Sequence, residues 1–275
     1  MRRSRTAMVV GLGLSLAVTP AAAAQTAPEA QSNRSQQFPS SGTADPIANE
    51  GTIEDGAIDA LKDMSNYLMT AKTLGLVSQA TRDVVTNDGQ RIQLEGTATY
   101  KIRRPGFVID YVSDIKSRRF IYDGKTFTVY SPSLGFYASV PAPPTNREAL
   151  NAIYKNYGIA LPLEDLFRWG DGESADRLRA MKSAYSLGAA TVDGVATDHY
   201  AYRESDVDWE VWIQQGDQPL PRKLVIVDRT DAARPTFIAR LDWQLNPTFS
   251  DSDFAFVPDA NAKRIALANF KGMEK

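Results

Sequence analysis

The sequence predicts a mainly β (α+β) domain, a large curved antiparallel sheet or barrel strung as a meander and preceded by one helix. Three observations carry this. Apolar side chains recur with a period of two over most of the chain after residue 71. Tight-turn signals, Asn87-Asp88-Gly89, Asp123-Gly124 and Asp193-Gly194, fall between the alternating runs. Helical spacing occurs only ahead of the first strand and in one interruption halfway along.

The chain begins with the three parts of an export signal. Arg2, Arg3 and Arg5 form a positive segment, residues 7–18 an apolar run, and Ala22-Ala23-Ala24 a small-residue cleavage site before Gln25. A run of 12 residues is shorter than the roughly 20 that span a bilayer. A signal peptide over residues 1–24 and a periplasmic mature protein are therefore expected, and not an integral membrane protein. Residues 25–54 are rich in Gln, Ser, Pro, Ala and Gly and read as a disordered linker, because such a stretch cannot bury enough apolar surface to offset ordering. The folded domain is expected over residues 55–265, followed by a tail over 266–275.

The chain has no cysteine, which excludes disulfides, thiolate chemistry and a lipid-modified N-terminal cysteine. Removing the leader takes three arginines and no acids from 31 basic and 33 acidic residues, leaving a net charge of −5. That balance argues against nucleic acid as a partner.

Ala57, Leu61, Met64 and Leu68 recur at helical spacing and predict the first helix. In RIQLEGTATYKIR the even positions from Ile92 to Ile102 are apolar or small and the odd ones polar, so one face is buried and one wet. A partner strand precedes it near residues 77–86. Downstream, Phe107, Ile109 and Tyr111 alternate, as do Trp209, Val211 and Ile213, and Phe237, Ala239, Leu241, Trp243 and Leu245. Ten or eleven strands result.

The interruption follows Pro141-Ala142-Pro143-Pro144. Thr145 opens a capping box with Glu148. Leu150, Ile153, Tyr154 and Tyr157 then share one helical face, and Gly158 ends the helix. A second short helix starts at Pro162 and carries Leu163, Leu166 and Phe167. Both must lay their apolar faces on something, and the concave face of the sheet is available. The interior beneath them is either filled by side chains or left open for an apolar ligand.

Catalytic arrangements find little support. His199, the single histidine, neighbours Asp198 on a strand, where the two side chains point to opposite faces, and no nucleophile elbow exists for Ser205. Asp171, Glu173 and Asp176 lack the spacing of a calcium loop. No enzyme activity, catalytic residue, cofactor or metal site is expected.

Arg104-Pro105, Asp123-Gly124-Lys125-Thr126 with Tyr130-Ser131-Pro132, and Phe254-Ala255-Phe256-Val257-Pro258 occur in an order that resembles the LolA/LolB superfamily of lipoprotein carriers. Within it, VPAPPTNREAL, YGIALPLEDLFRWG, DGVATDHYAYRESDVDWEVWI and PLPRKLVI are similar to a DUF2092-like family of uncharacterised predicted periplasmic proteins. The resemblance implies an unclosed antiparallel β-barrel of about eleven strands with an N-terminal helix and a short helical lid. It implies a hydrophobic cavity that takes a lipid or lipoprotein acyl chain, without a cofactor. Tyr100, Ile102, Leu150, Ile153, Tyr154, Tyr157, Leu166 and Phe167 are the expected lining of cavity and lid. The resemblance also gives Arg104 the role of a lid lock that bonds lid backbone. Arg104 does continue the apolar even face of its strand, where a charge needs partners; alternatively Pro105 turns the chain and Arg104 meets water. The other reading is an envelope protein-interaction module with a filled core, which docks a partner through a strand edge or the Trp209/Trp212 region.

Overall fold

The structure, a computed structural model, describes residues 51–169 and 175–269. The expected signal, most of the linker, Asp171 and Glu173 lie outside these residues.

The two longest strands set the register of the molecule. β1 (Thr73–Val85) and β2 (Arg91–Arg103) pair antiparallel along their whole length, from Thr73 opposite Arg103 to Val85 opposite Arg91. Thr86 and Gln90 close the turn, and Gly89 takes a φ of 86°, which a side chain rarely tolerates. The alternation becomes a burial pattern: Ala98 and Tyr100 are buried and Thr97 and Thr99 exposed. Ile92, near the open end, departs from it and is exposed.

From β2 the chain meanders through β3 (Phe107–Ser113), β4 (Lys116–Tyr122), β5 (Thr126–Ser131) and β6 (Phe136–Pro141). After the helical interruption a second meander follows: β7 (Ser183–Val192), β8 (Val195–Arg203), β9 (Val207–Gln214), β10 (Pro221–Asp228) and β11 (Thr236–Leu245). β11 pairs with β1, with Trp243 opposite Leu76 and Ala239 opposite Ala80, and so joins the meanders. A two-residue β12 (Lys263–Arg264) adds parallel to β6. The sheet thus has 12 strands in the order β12-β6-β5-β4-β3-β2-β1-β11-β10-β9-β8-β7 and stays open between its ends. The expected eleven strands are the antiparallel ones.

Both edges are covered by chain segments that the sequence pattern did not reveal. β12 lies on β6. On β7, Glu54 N–H donates to the Ala184 carbonyl at 2.7 Å and Ala184 N–H to that of Thr52 at 2.8 Å. Residues 52–54 therefore belong to the domain rather than to the linker. Covering an unpaired edge removes a template for association with other chains.

The concave face carries the core. α1 (Asp55–Thr70) lays Ala57, Leu61, Met64 and Leu68 on it, all essentially buried; each of the three large side chains contributes roughly 1.5–3 kcal/mol by burial. α2 (Asn146–Tyr157) buries Ala149 and Ile153 there. A 3-10 turn (Glu164–Phe167) and α3 (Ala175–Ala180) complete the cover; the sequence suggested a helix where the 3-10 turn lies and nothing where α3 lies. A second, smaller core sits on the convex side. There the 3-10 turn Asp251–Phe254 sets Phe254 against Val108 and Ile121, flanked by Phe249 and Phe256.

Candidate functional site

α2 starts where its cap residues say it should. Thr145 Oγ1 accepts from Glu148 N–H at 3.2 Å, and Gly158, at φ 67°, donates to the Tyr154 carbonyl at 2.9 Å. The helix is held down at its first residue. Asn146 Nδ2 donates to the Arg103 carbonyl at 2.8 Å, and its Oδ1 accepts from Gly106 N–H at 2.7 Å. A Cβ on Gly106 would lie 2.9 Å from Arg103 Nε and 3.2 Å from the Tyr122 carbonyl, so only glycine lets the turn approach this closely. Tyr122 Oη donates to the Pro143 carbonyl and anchors the proline-rich segment.

After α2, residues 159–167 form a strap that descends onto the concave face. Leu163 adopts φ 60°, a left-handed conformation that costs a leucine about 1–2 kcal/mol. The strap divides the interior into two cavities. The first, of about 100 Å³, is bounded by Ala98, Tyr111, Phe120, Leu166, Trp169 and Trp209. The second, of about 110 Å³, lies among Ile102, Phe107, Ile109, Leu150 and Phe167. Tyr100, Leu161, Pro162 and Glu164 belong to both walls. Tyr100 Oη donates weakly to the Pro162 carbonyl at 3.4 Å.

The floor of the first cavity is a stack. Trp169 lies on Trp209 at 5.3 Å, and Trp209 on Tyr202 at 4.2 Å. Arg177 covers Trp169 at 4.3 Å and reaches Asp165 at 2.8 Å and the buried Glu204 at 3.4 Å. Glu164 is the carboxyl that belongs to both cavity walls. Burial pushes its carboxyl up to about 7, opposed by Arg168 at 3.3 Å. Burial also raises Glu204, again against Arg177.

Tyr100, Ile102, Leu150, Leu166 and Phe167 of the expected lining face the cavities. Ile153 is instead packed in the core, and Tyr154 and Tyr157 are half-buried and line neither cavity. Arg104 requires a correction. Its guanidinium donates to the carbonyls of Leu68, Met69 and Ala71 at the end of α1, not to the lid. α1 has no basic residue in its last turn, so its exposed carbonyls and negative dipole end draw the nearest cation. Asn146 makes the bond between lid and R-P turn. Trp209 is buried in the stack rather than offered to a partner. His199 stacks on Trp212 at 3.8 Å and pairs with Glu210 at 2.8 Å on the other face of the sheet from Trp209.

Sequence reasoning missed Leu161, Glu164, Trp169 and Arg82, which also borders the first cavity. For Arg82 a signal existed. It falls on the same alternating face as Leu74, Leu76, Ser78 and Ala80, where a charge is out of place.

The model of a family described as predicted periplasmic proteins, DUF2092, matches residues 57–268. The chain belongs to this family. Its location is accordingly periplasmic, and among the described residues no helix is long and apolar enough to cross a membrane. No curated protein matches this DUF2092 chain significantly. Similar solved structures include an uncharacterised conserved protein from Thermus thermophilus, at 8% identity and TM-score 0.46, over 77% of this chain and 99% of that one. The lipoprotein LppX of Mycobacterium tuberculosis aligns at 10% identity and TM-score 0.44, over 71% and 98%. A LolA superfamily protein from Nitrosomonas europaea aligns at 10% identity and TM-score 0.36, over 73% and 97%.

Proposed function

We propose that this DUF2092 protein is a periplasmic binding protein, not an enzyme, that holds an acyl chain or similar apolar ligand beneath its lid, as carrier or sensor. The observation that carries the reading is the partitioned interior. Two apolar cavities flank a strap that contributes a wall to each. Neither, at about 100 or about 110 Å³, reaches the several hundred Å³ of a typical small-molecule site. Withdrawal of the strap joins them along the concave face. Leu161, Leu166 and Phe167 then act as stand-ins for the ligand, exchanging their contacts for those of an acyl chain. The carboxylates of the site are ion-paired, Glu164 with Arg168 and Asp165 with Arg177, rather than arranged as base beside a nucleophile, which supports binding over catalysis.

Titration of the mature protein with a fluorescent C16 fatty-acid probe, combined with native mass spectrometry of the purified protein, tests this. Stoichiometric uptake, or a co-purifying apolar mass, is expected. If the protein takes up no probe and carries no lipid, the protein-interaction module with a filled core replaces this reading.

A further inference from the structure

Three cations share the concave face at the end of β2 opposite Arg104. Arg82 on β1 borders the first cavity. Arg118 on β4 stands directly opposite Tyr111, another cavity residue, and Lys116 opposite Ser113, two residues along the same face. Tyr111 lies across Gly96, where a Cβ would come within 3.2 Å of its Oη, so the missing side chain makes room for the tyrosine ring at the mouth of the first cavity.

The two arginines are poorly neutralised. Arg118 donates to the Ser117 carbonyl at 2.8 Å and Ser131 Oγ at 2.6 Å, both uncharged. Arg82 Nε is buried and lacks a hydrogen-bond partner. Among the described residues neither arginine has a carboxylate at ion-pair distance, whereas Arg91 and Arg119, facing outward on the same strands or their neighbours, pair with Asp83 and Asp110. Burial, reinforced by repulsion from Arg82 and Arg118, lowers Lys116 to about 8. The half-buried like charges of Arg82 and Arg118 destabilise the free protein, and an anion placed between them relieves that cost.

We propose that the ligand of the concave face is an anionic amphiphile, whose carboxylate or phosphate is held by Arg82, Lys116 and Arg118 while its chain passes Gly96 and Tyr111 into the first cavity. This rests on the binding reading above and gives it a ligand class and an orientation. Guanidinium groups suit such heads because their planar donors match the two oxygens of a carboxylate or phosphate. The apolar walls of Phe120, Leu166 and Trp209 begin where the cations end, so head and chain are recognised by adjoining surfaces.

The test uses the mature protein and three probes: laurate, 1-dodecanol with the same chain and a neutral head, and inorganic phosphate. Binding is read from tryptophan fluorescence, since Trp169 and Trp209 line the cavity, and from the titration of Lys116 by NMR. Laurate is expected to bind at least about tenfold more tightly than dodecanol and to raise the Lys116 midpoint above about 8. The double variant Arg82→Gln/Arg118→Gln should lose that preference, keep dodecanol binding, and melt no lower than wild type. Arg119→Gln, on the opposite face, should behave as wild type.

Equal affinity for laurate and dodecanol, or an unmoved Lys116 midpoint, overturns the proposal while leaving an apolar-ligand site in place. Phosphate binding as tightly as laurate overturns the amphiphile and leaves a free-anion site. Binding of no probe removes the function reading and this inference with it. Should the double variant fail to fold, the Lys116 midpoint in the wild-type protein still decides.

Discussion

Arg104 donates to the Leu68 carbonyl at 3.0 Å across 36 residues of sequence, and so caps α1 from the turn between β2 and β3. The same turn clasps α2 through Asn146. One tight turn therefore fixes two helices on the concave face through two separate side chains, and the two can be separated by mutation.

Arg104→Leu should cost about 1–2 kcal/mol, discounted for exposure, through loss of bonds to α1 carbonyls and of a cation at the helix C-terminus. Amide exchange should quicken in the last turn of α1 and change little in α2. Asn146→Ala should do the reverse, at a similar cost. Hydrogen exchange on both variants, with urea melts for the energies, checks the assignment. Faster exchange of α2 in Arg104→Leu would return the arginine to the role of lid lock.

Phe254 carries the convex core. It is wholly buried against Val108 and Ile121, with the Arg103 guanidinium 4.1 Å from its ring centre. Phe254→Ala should cost about 3–5 kcal/mol and free the segment that leads to β12, exposing the β6 edge. Val257, 82% exposed three residues on, should tolerate alanine within about 0.5 kcal/mol. Thermal melts and susceptibility of residues 249–265 to protease report both effects.

These cases show what the sequence makes legible. Alternation in β2, β9 and β11, the face of α1 and the cap residues of α2 are local signals, and each element formed where its signal lies. The α1 cap, the Asn146 clasp and the grouping of Arg82 with Lys116 and Arg118 join residues far apart in the chain, so no local period encodes them. The strap was half visible. Leu163, Leu166 and Phe167 are legible as apolar residues of a short helix, but Leu161 is not, and the left-handed conformation of Leu163 is one for which a leucine gives no warning. α3 and β12 are six and two residues long, too short for periodicity to show.

Glu164 gives the strap a pH dependence. Its folded pKa, about 7, lies above the ordinary carboxylate value of 4.5 because burial disfavours the charge. The folded state therefore holds a proton that the unfolded state has released between these values, and stability falls as pH rises through that window. At pH 8 the charged form costs at most about 3.4 kcal/mol by that shift. Glu164→Gln should match wild type near pH 4.5 and gain a growing advantage up to pH 8. The groups facing Glu164, namely Asp165, Arg168 and Arg177, remain in both proteins, so the difference in melting temperature isolates the carboxyl. An advantage independent of pH would place Glu164 in water.

Cavity occupancy can be tested without touching any charge. Ala98 is 5% exposed and faces the first cavity, while Ala239, also on the concave side, is fully buried and lines neither cavity. Leucine at position 98 extends its added carbons into empty space, so contacts are gained without displacing neighbours. Stability should hold or rise by up to about 1 kcal/mol. Leucine at position 239 has no such space, and overpacking should cost about 1–3 kcal/mol. Binding should respond in the opposite sense. Ala98→Leu occupies volume that the acyl chain needs and should weaken the C16 probe by about tenfold or more, whereas Ala239→Leu, if folded, should bind nearly as wild type. Probe titrations and urea melts on the two variants give four numbers with a definite pattern: stable but closed at 98, strained but open at 239. If Ala98→Leu binds as wild type, the ligand does not enter the first cavity, and the second, beyond the strap, becomes the place to fill next.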